Sequence, residues 1–600
     1  MDTRTSPIAL RLARAREALV AAGAHALLVP SADPHLSEYL PQRWAAREWL
    51  SGFTGSVGTL VVTRTDAQLF ADSRYWTQAE AELQGSGIAL FKIPTGAALH
   101  HIDWLAQNLQ AGQTVMVDGQ VLGLGLAQML RQALSAKNIR LRTDADLLES
   151  FWSDRPGLPA DAVYEHLAPH ATSTRADKLA QVRAALQAKG VSHHLISSVD
   201  DVAWVLNLRG SDVPCNPVFI AHLLLDAQQA QLFVAEGKIP AALAQKLAAD
   251  GVQLRPYEAA RAALGALDAG ATLLVDPRRV TLGLREAAAC KVVEAINPST
   301  LLKSRKSDAE AAHIRRAMEE DGAAMCHFYA WFEAALGQER ITELTVDERL
   351  SAERARRAGF VGLSFPTIAG FNANGAMPHY RATEASHAVI EGDGLLLIDS
   401  GGQYLGGTTD ITRVWAIGAV TPAQKRDYTL VLKGTIALSR AVFPRGTLGP
   451  MLDALARAPM WAHGLDFGHG TGHGVGYFMN VHEGPQNISK AIPDANMAME
   501  VGMITSIEPG VYRPGQWGVR IENLVLNTPQ ATPEGGAFGE MLAFETLTLC
   551  PIDTRCIDLA LLGEDDRAWL NHYHAEVRRR LAPLVDGAAL AWLELRTQPL

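Results

Sequence analysis

Gly394-Leu-Leu-Leu-Ile-Asp-Ser-Gly-Gly-Gln-Tyr-Leu-Gly-Gly-Thr-Thr-Asp-Ile-Thr-Arg413 begins as an unbroken apolar run, ends that run on Asp399, turns through glycines and places Asp410 eleven residues later in a second strand-like segment. Short apolar runs bounded by glycine read as buried strands, so the segment predicts an antiparallel pair that brings two carboxylates together. Propensity disfavours a carboxylate at a strand position. One such acid is easily a hydrogen-bonded edge residue. Two that face each other repel unless something neutralises them.

The pattern recurs downstream. Glu508 follows Met503-Ile-Thr-Ser-Ile507, and Glu522 sits inside Val519-Arg-Ile-Glu-Asn-Leu-Val-Leu526, predicted as one strand. Four acids in apolar strand settings need countercharge, and Arg520 alone does not supply it. Two divalent cations would balance the four carboxylates, which is the physical case for a two-metal site. Between the acid pairs, Gly468-His-Gly-Thr-Gly-His-Gly-Val-Gly476 carries His469 and His473 in a run with glycine at every second position, and His482 follows in Asn480-Val-His-Glu-Gly484. Glycine admits close backbone approach, so the run predicts a tight, irregular strand or loop. It is not a phosphate loop, because it is no strand–GxGxxG–helix unit and lacks a Walker lysine. An oxygen-dominated donor set with one imidazole suits Mn²⁺, while the affinity order leaves Zn²⁺ or Co²⁺ as alternatives. The chemistry expected is hydrolysis, with two metals acidifying a bridging water and one polarising the scissile carbonyl.

Each residue also has an ordinary reading. His379, in Met-Pro-His-Tyr, is by itself a packed or surface histidine, and the pairs His100-His101 and His193-His194 read as structural. It is the conjunction of acids, glycines and histidines within one region that points to a site.

The rest of the chain narrows the class. Six hundred residues with 48% apolar and 20% charged composition make a globular protein with large cores, at about four domains by length. The net charge of −10 speaks against a nucleic-acid partner, and no apolar run reaches the length of a membrane span. Five cysteines without CxxC spacing predict neither a zinc site nor a disulfide framework, and Cys550 and Cys556 read as buried small hydrophobes. The first 23 residues lack a signal-peptide plan and read as the first helix of a soluble, cytoplasmic protein.

An internal duplication is legible. Arg16, Leu19, Gly23, Leu28, Ser31 and Asp33 reappear 167 residues later as Arg183, Leu186, Gly190, Leu195, Ser198 and Asp200, and Ala67-Gln-Leu-Phe70 matches Ala230-Gln-Leu-Phe233. Each copy reads as helix, glycine stop, apolar strand and turn, so two tandem α/β domains are expected, 1–155 and 156–303. The stretch Trp152-Ser-Asp-Arg-Pro-Gly-Leu-Pro159 reads as an exposed linker, and a second boundary falls near Asn297–Ser304. Ser307 with Glu310 predicts a capping box opening a long helix lined by Ile314, Met318, Met325, Phe328 and Phe332. A catalytic domain over 304–540 and a helical extension over 541–600 complete the expected division.

At these residues the sequence resembles the pita-bread metallopeptidases, the family of methionine aminopeptidase, prolidase and aminopeptidase P, and within it the three-domain cytosolic Xaa-Pro aminopeptidases. Pro30–Tyr39, Ser51–Ser56, Asp72–Tyr75, Asn207–Asp212, Asn216–Phe219, Gly362–Thr367, Gly401–Tyr404, Gly407–Arg413 and Trp569–Tyr573 carry the likeness over essentially the whole chain. The resemblance implies an α/β fold of two tandem creatinase-N-like domains followed by a pita-bread α+β catalytic domain. It implies Asp399, Asp410, His473, Glu508 and Glu522 as ligands of a dinuclear Mn²⁺ centre, Asp410 and Glu522 bridging both metals. His379, His469 and His482 match the family's three active-site histidines, and Tyr512 and Arg520 match positions near the penultimate-proline pocket, with His379 and His469 also contacting substrate. Peptides with penultimate proline are the implied substrates and a homodimer the implied assembly. The competing readings are a prolidase-like dipeptidase, a creatinase-like amidinohydrolase, which would lack these ligands, and a non-catalytic binding platform. The preference for proline rests on the resemblance, since the metal site alone would equally suit removal of methionine.

Overall fold

The computed structural model describes residues 6–94 and 99–600, so the first five residues of the expected N-terminal helix lie outside the described residues. The chain forms two compact units. One spans 1–167, 173–214 and 218–300, the other 168–172, 215–217 and 301–600.

In the first unit the duplication appears as topology. Strands β1 (Ala26–Pro30), β2 (Thr59–Thr63), β3 (Ala67–Asp72), β4 (Ala89–Ile93), β5 (Thr114–Met116) and β6 (Arg140–Arg142) form a sheet of order β4-β3-β2-β1-β5-β6. Strands β7 (His193–Ile196), β8 (Ala221–Leu225), β9 (Ala230–Val234), β10 (Val252–Pro256), β11 (Thr272–Val275) and β12 (Lys291–Glu294) repeat it as β10-β9-β8-β7-β11-β12. The two Ala-Gln-Leu-Phe motifs are the corresponding strands β3 and β9. Helices α1 (Pro7–Ala21) and α2 (Arg175–Ala188) precede the equivalent strands β1 and β7. Each helix is followed by a glycine at φ 65°, Gly23 and Gly190. A left-handed residue there ends a helix at low steric cost only when it has no Cβ, which explains why those glycines recur in the repeat. The halves meet at equivalent loops, where Leu282 N–H donates to Leu122 O at 2.8 Å and Leu124 N–H to Val280 O at 3.0 Å. The stretch expected to be an exposed linker opens on Trp152, which is buried and stacks on Trp49 at 4.6 Å.

The second unit is built around helix α3 (Asp308–Ala335), which starts with the expected Ser307–Glu310 capping box and buries Ile314, Met318, Met325, Phe328 and Phe332. Helix α4 is Glu343–Ala355. Strands β13 (Ile368–Phe371), β14 (Gly394–Ser400) and β15 (Ile411–Ile417) form one antiparallel sheet in that order. Helix α5 (Pro422–Ser439) follows, then β16 (Val442–Pro444) and helix α6 (Asp453–Trp461). Farther along lie strands β17 (Ile504–Ile507), β18 (Gly510–Arg513), β19 (Trp517–Arg520), β20 (Asn523–Gln530) and β21 (Met541–Thr546). Here β18 and β19 make a hairpin, while the others form a sheet of order β16-β21-β20-β17.

Two acids depart from the sequence expectation in an instructive way. Asp410 lies just before β15 rather than inside it, and Glu522 lies in a break between β19 and β20 rather than in one continuous strand. At that break the chain leaves one sheet for another, and the Glu522 N–H donates to Thr412 O at 3.1 Å instead of to a ladder partner. A junction releases the backbone from a flat pleat, so the acids converge from different sheets.

The segment after 540 was expected to be helical, yet it opens with β21, which pairs with β16 and β20. Helices α7 (Glu564–Leu581) and α8 (Gly587–Arg596) then pack into the same core. Tyr329 of α3 stacks on Trp415 of β15 at 4.3 Å and on Trp592 of α8 at 5.4 Å. Fully buried Arg413 ties this segment to the site. It donates to Glu522 O at 2.6 Å, Asn523 Oδ1 at 2.8 Å, Cys550 O at 2.9 Å and the Tyr573 hydroxyl at 2.8 Å. All five cysteines are free, and Cys550 and Cys556 are buried as expected.

Candidate metal centre

The antiparallel pairing of β14 with β15 sets Asp399 opposite Thr412. From there Asp410 sits one residue beyond the ladder, and ligand atoms of Asp410, His473 and Glu522 lie within 4.8 Å of one another. Glu508 joins from the end of β17, its Oε1 3.4 Å from His473 Nε2, the same distance that separates His473 Nε2 from Asp410 Oδ2. His473 reaches this point through the glycine run, in the two-residue strand Gly472–His473 paired with Asn487–Ile488. A Cβ on Gly472 would overlap the Ser506 carbonyl, and one on Gly474 the Glu483 carbonyl. Glycine at these two positions is what allows the run to lie against neighbouring backbone.

The side chains are held by a surrounding shell. His473 Nδ1 meets its partner, the Gly474 carbonyl, at 2.9 Å. That contact keeps a proton on Nδ1 and leaves Nε2, which faces the acids, as the nitrogen that a metal would take. Ser506 Oγ accepts the His473 N–H at 3.0 Å and donates to Glu508 Oε1 at 3.1 Å. Thr412 Oγ1 donates to Glu522 Oε2 at 2.7 Å and accepts from Arg520 Nε at 3.1 Å. Arg520 also donates to Asp399 Oδ2 at 2.6 Å and to the Tyr512 hydroxyl at 2.7 Å. The Tyr512 hydroxyl lies 2.7 Å from His469 Nε2.

The electrostatics are those of a site short of positive charge. Burial, with Asp410 nearby, pushes Asp399 up to about 7 even though Arg520 opposes the shift. Burial likewise raises Glu508, and raises Glu522 well above the usual carboxylate range. Burial alone would lower His473, but its contacts with Asp410 and Glu508 lift it to about 9. Among the described residues Asp399 Oδ1 and Glu522 Oε1 are buried with no hydrogen-bond partner, and orphaned carboxylate oxygens of this kind are costly. Orphan oxygens, mutually destabilised carboxylates and an imidazole whose Nε2 faces the acids are together what divalent cations satisfy, so the donor set fits them.

Of the other residues singled out in the sequence, His482 lies against His473, ring centroids 4.3 Å apart and planes at 85°. His379 is half-buried on the loop whose preceding residue, Pro378, offers its carbonyl to Arg520 at 3.4 Å. Asp399, Asp410, Glu522 and Arg520 are buried, whereas the four histidines, Glu508 and Tyr512 are half-buried. Three of the acids therefore lie deeper than Glu508 and the histidines. Sequence reading missed Thr412 and Ser506. Both sit two residues from a candidate acid, the alternation that puts side chains on one face of a strand, and that spacing was the available signal.

Residues 312–529 match the model of metallopeptidase family M24, and 540–600 match the C-terminal region of peptidase M24. Residues 11–146 and 154–310 match creatinase/prolidase N-terminal domains. Aminopeptidase P2 of Arabidopsis thaliana is 38% identical over 96% of this chain and 86% of its own length. A probable Xaa-Pro aminopeptidase P of Talaromyces marneffei is 37% identical over 100% of this chain and 94% of its own. The crystal structure of X-prolyl aminopeptidase from Caenorhabditis elegans, described as a cytosolic enzyme with a di-nuclear active site, superposes with a TM-score of 0.94 at 30% identity, covering 99% of this chain and 100% of that one. With two creatinase-type domains ahead of a metallopeptidase domain and relatives alike over their whole length, the chain belongs to metallopeptidase family M24 and, within it, to the aminopeptidase P group.

Proposed function

We propose that this chain hydrolyses the bond between an N-terminal residue and a penultimate proline, using two divalent cations, Mn²⁺ foremost, held by Asp399, Asp410, His473, Glu508 and Glu522. The observation that carries the reading is the convergence of Asp410, His473 and Glu522 within 4.8 Å beside buried acids with orphaned oxygens. The names of the relatives supply the substrate class. When bound, the cations supply Lewis acidity and lower the pKa of the attacking water.

The protein's own residues do the rest. Thr412 and Ser506 orient Glu522 and Glu508, and Arg520 holds Asp399 from the buried side. His469 and Tyr512 share a hydrogen bond, and its proton is redirected to the charge that develops on the substrate carbonyl oxygen. His379 sits beside Arg520 to take the peptide. His482, packed on His473, moves the proton to the departing proline nitrogen. Among the described residues no helix is long and apolar enough to cross a membrane. We assign the enzyme to the cytosol as a homodimer, following the neighbour and the family.

The test is hydrolysis of Arg-Pro-Pro, Arg-Ala-Pro and Arg-Pro by metal-stripped protein with and without Mn²⁺. Metal-dependent release of arginine from Arg-Pro-Pro alone is expected. Cleavage of Arg-Pro alone would move the enzyme to the dipeptidases.

A further inference from the structure

The segment carrying His469 has no strand or helix of its own from His463 to Thr471, and glycines stand at 464, 468 and 470. Something outside the segment must fix it. On α6, Asp453 and Arg457 lie four residues apart, facing inward, with Arg457 only 1% exposed. Arg457 Nε donates to Asp453 Oδ2 at 2.6 Å, Nη1 to Asp466 Oδ1 and to Phe467 O at 2.8 Å each, and Nη2 to His469 O at 2.8 Å. Its guanidinium lies 3.8 Å from the Phe467 ring centroid, and that ring lies 4.8 Å from the His469 ring. The free end of Asp453, Oδ1, accepts the Thr471 hydroxyl at 2.6 Å. The Thr471 carbonyl in turn accepts the N–H of Glu508 at 2.7 Å.

We propose that Asp453, Arg457 and Thr471 are positioning residues for the reaction, setting His469 and Glu508 relative to each other from α6. The inference rests on the reading of His469 and Glu508 as site residues. Packing does not require the ion pair, because Ala456 and Met460 already bury the helix in the core, and a buried pair is often no more stabilising than apolar residues of similar volume. What the pair adds is direction. The planar guanidinium fork fixes two carbonyls two residues apart, and the carboxylate passes that alignment through Thr471 to the backbone of Glu508. Two groups that must act on one substrate are thereby referred to one rigid helix, where a displacement of about 1 Å costs on the order of 10²-fold in rate.

The test compares His469→Ala, Arg457→Lys, Thr471→Val and Thr471→Ser in the full chain. Arg457→Lys and Thr471→Val are expected to lower kcat about 30-fold or more with KM changed less than about threefold. Thr471→Val is expected to weaken Mn²⁺ binding about tenfold in chelator competition, whereas Thr471→Ser, which keeps the hydroxyl, stays at wild type in both. If Arg457→Lys does not fold, the Thr471 pair carries the test. Wild-type kcat and Mn²⁺ affinity in Thr471→Val, with His469→Ala inactive, would overturn the positioning role and leave the site reading intact. Full activity in His469→Ala would overturn both.

Discussion

Two groups of buried titratable side chains, one in each unit, answer burial in opposite ways. In the N-terminal unit the group is four imidazoles. Burial pushes His101 and His194 down to about 4, and moves His35 and His222 in the same direction. These rings are neutral at physiological pH; His35 and His222 share Ser197 as a partner, while among the described residues His101 Nε2 and His194 Nε2 have no hydrogen-bond partner. His35 bridges Ser197 O at 2.6 Å and the Tyr257 hydroxyl at 2.9 Å, while His222 bonds Ser197 Oγ at 3.0 Å. In the catalytic unit the group is the cluster of carboxylates around Asp399. Burial pushes them up, Asp399 to about 7, and two of their oxygens have no partner. Desolvation is the larger cause on both sides. A histidine answers it by losing a proton and needs no ion, whereas four clustered acids call for a cation from outside. The contrast separates a structural polar core from a functional one without appeal to any motif.

The largest effect should come from removing one carboxylate. Glu522→Gln is expected to cost at least 10³-fold in kcat/KM, roughly 4 kcal/mol of transition-state stabilisation, yet leave the metal-stripped protein as stable as wild type or more so, since it removes a buried charge with an orphaned oxygen. Activity assays paired with calorimetry in chelator read both. A large fall in the unfolding temperature of the stripped variant would mean that Glu522 is paired structurally and the contrast is false.

Acid should then separate the units by sign. For His101 and His194 the folded pKa lies below the unfolded value, so the unfolded state takes up protons first. Stability in that unit is therefore lost as pH falls from about 6.5 toward 4, by up to about 3 kcal/mol for each ring. For Asp399 the folded pKa lies above the unfolded value, so in metal-stripped protein its contribution stabilises the strands around it as pH falls from about 7 toward 4, while buried His574 acts in the opposite direction farther from the site. Hydrogen exchange resolves the two locally, with amides of β7 and β11 expected to lose protection and those of β14 and β15 to gain it. His194→Asn should flatten the first trend and leave the second untouched. Parallel trends in both units would break the comparison.

Much of this was legible in the sequence because the signals were local. The two copies share Gly23 and Gly190, whose left-handed backbone only a residue without a Cβ adopts cheaply, and the Ala-Gln-Leu-Phe motifs fall on equivalent strands. The acids stood out because carboxylates are rare in apolar runs. Two things were hidden for a physical reason. Glu522 looked mid-strand, since no residue near it breaks a strand, and only the tertiary switch between sheets opens the ladder there. Arg413 gave no sign either. It looks like an ordinary strand cation, yet it is fully buried and binds carbonyls contributed by residues more than a hundred positions away. Periodicity cannot report a partner at that distance.

The finest distinction lies in the hydroxyl that sits between the buried cation and the buried acid. Thr412 Oγ1 accepts from Arg520 and donates to Glu522, so it fixes which Glu522 oxygen stays free for a metal. Thr412→Val keeps the β-branched shape that suits its strand but removes both bonds. It should weaken Mn²⁺ binding about tenfold, near 1.4 kcal/mol, with chelator competition as the measurement, while Thr412→Ser keeps the hydroxyl and restores binding. The valine variant also tests the contrast from its other side. If the carboxylates of the catalytic unit are satisfied by the protein alone, as the histidines of the N-terminal unit are, losing this hydroxyl would lower stability and leave metal affinity unchanged. If they are arranged for a cation, affinity falls first, because the freed Glu522 oxygen loses the contact that aimed the other one.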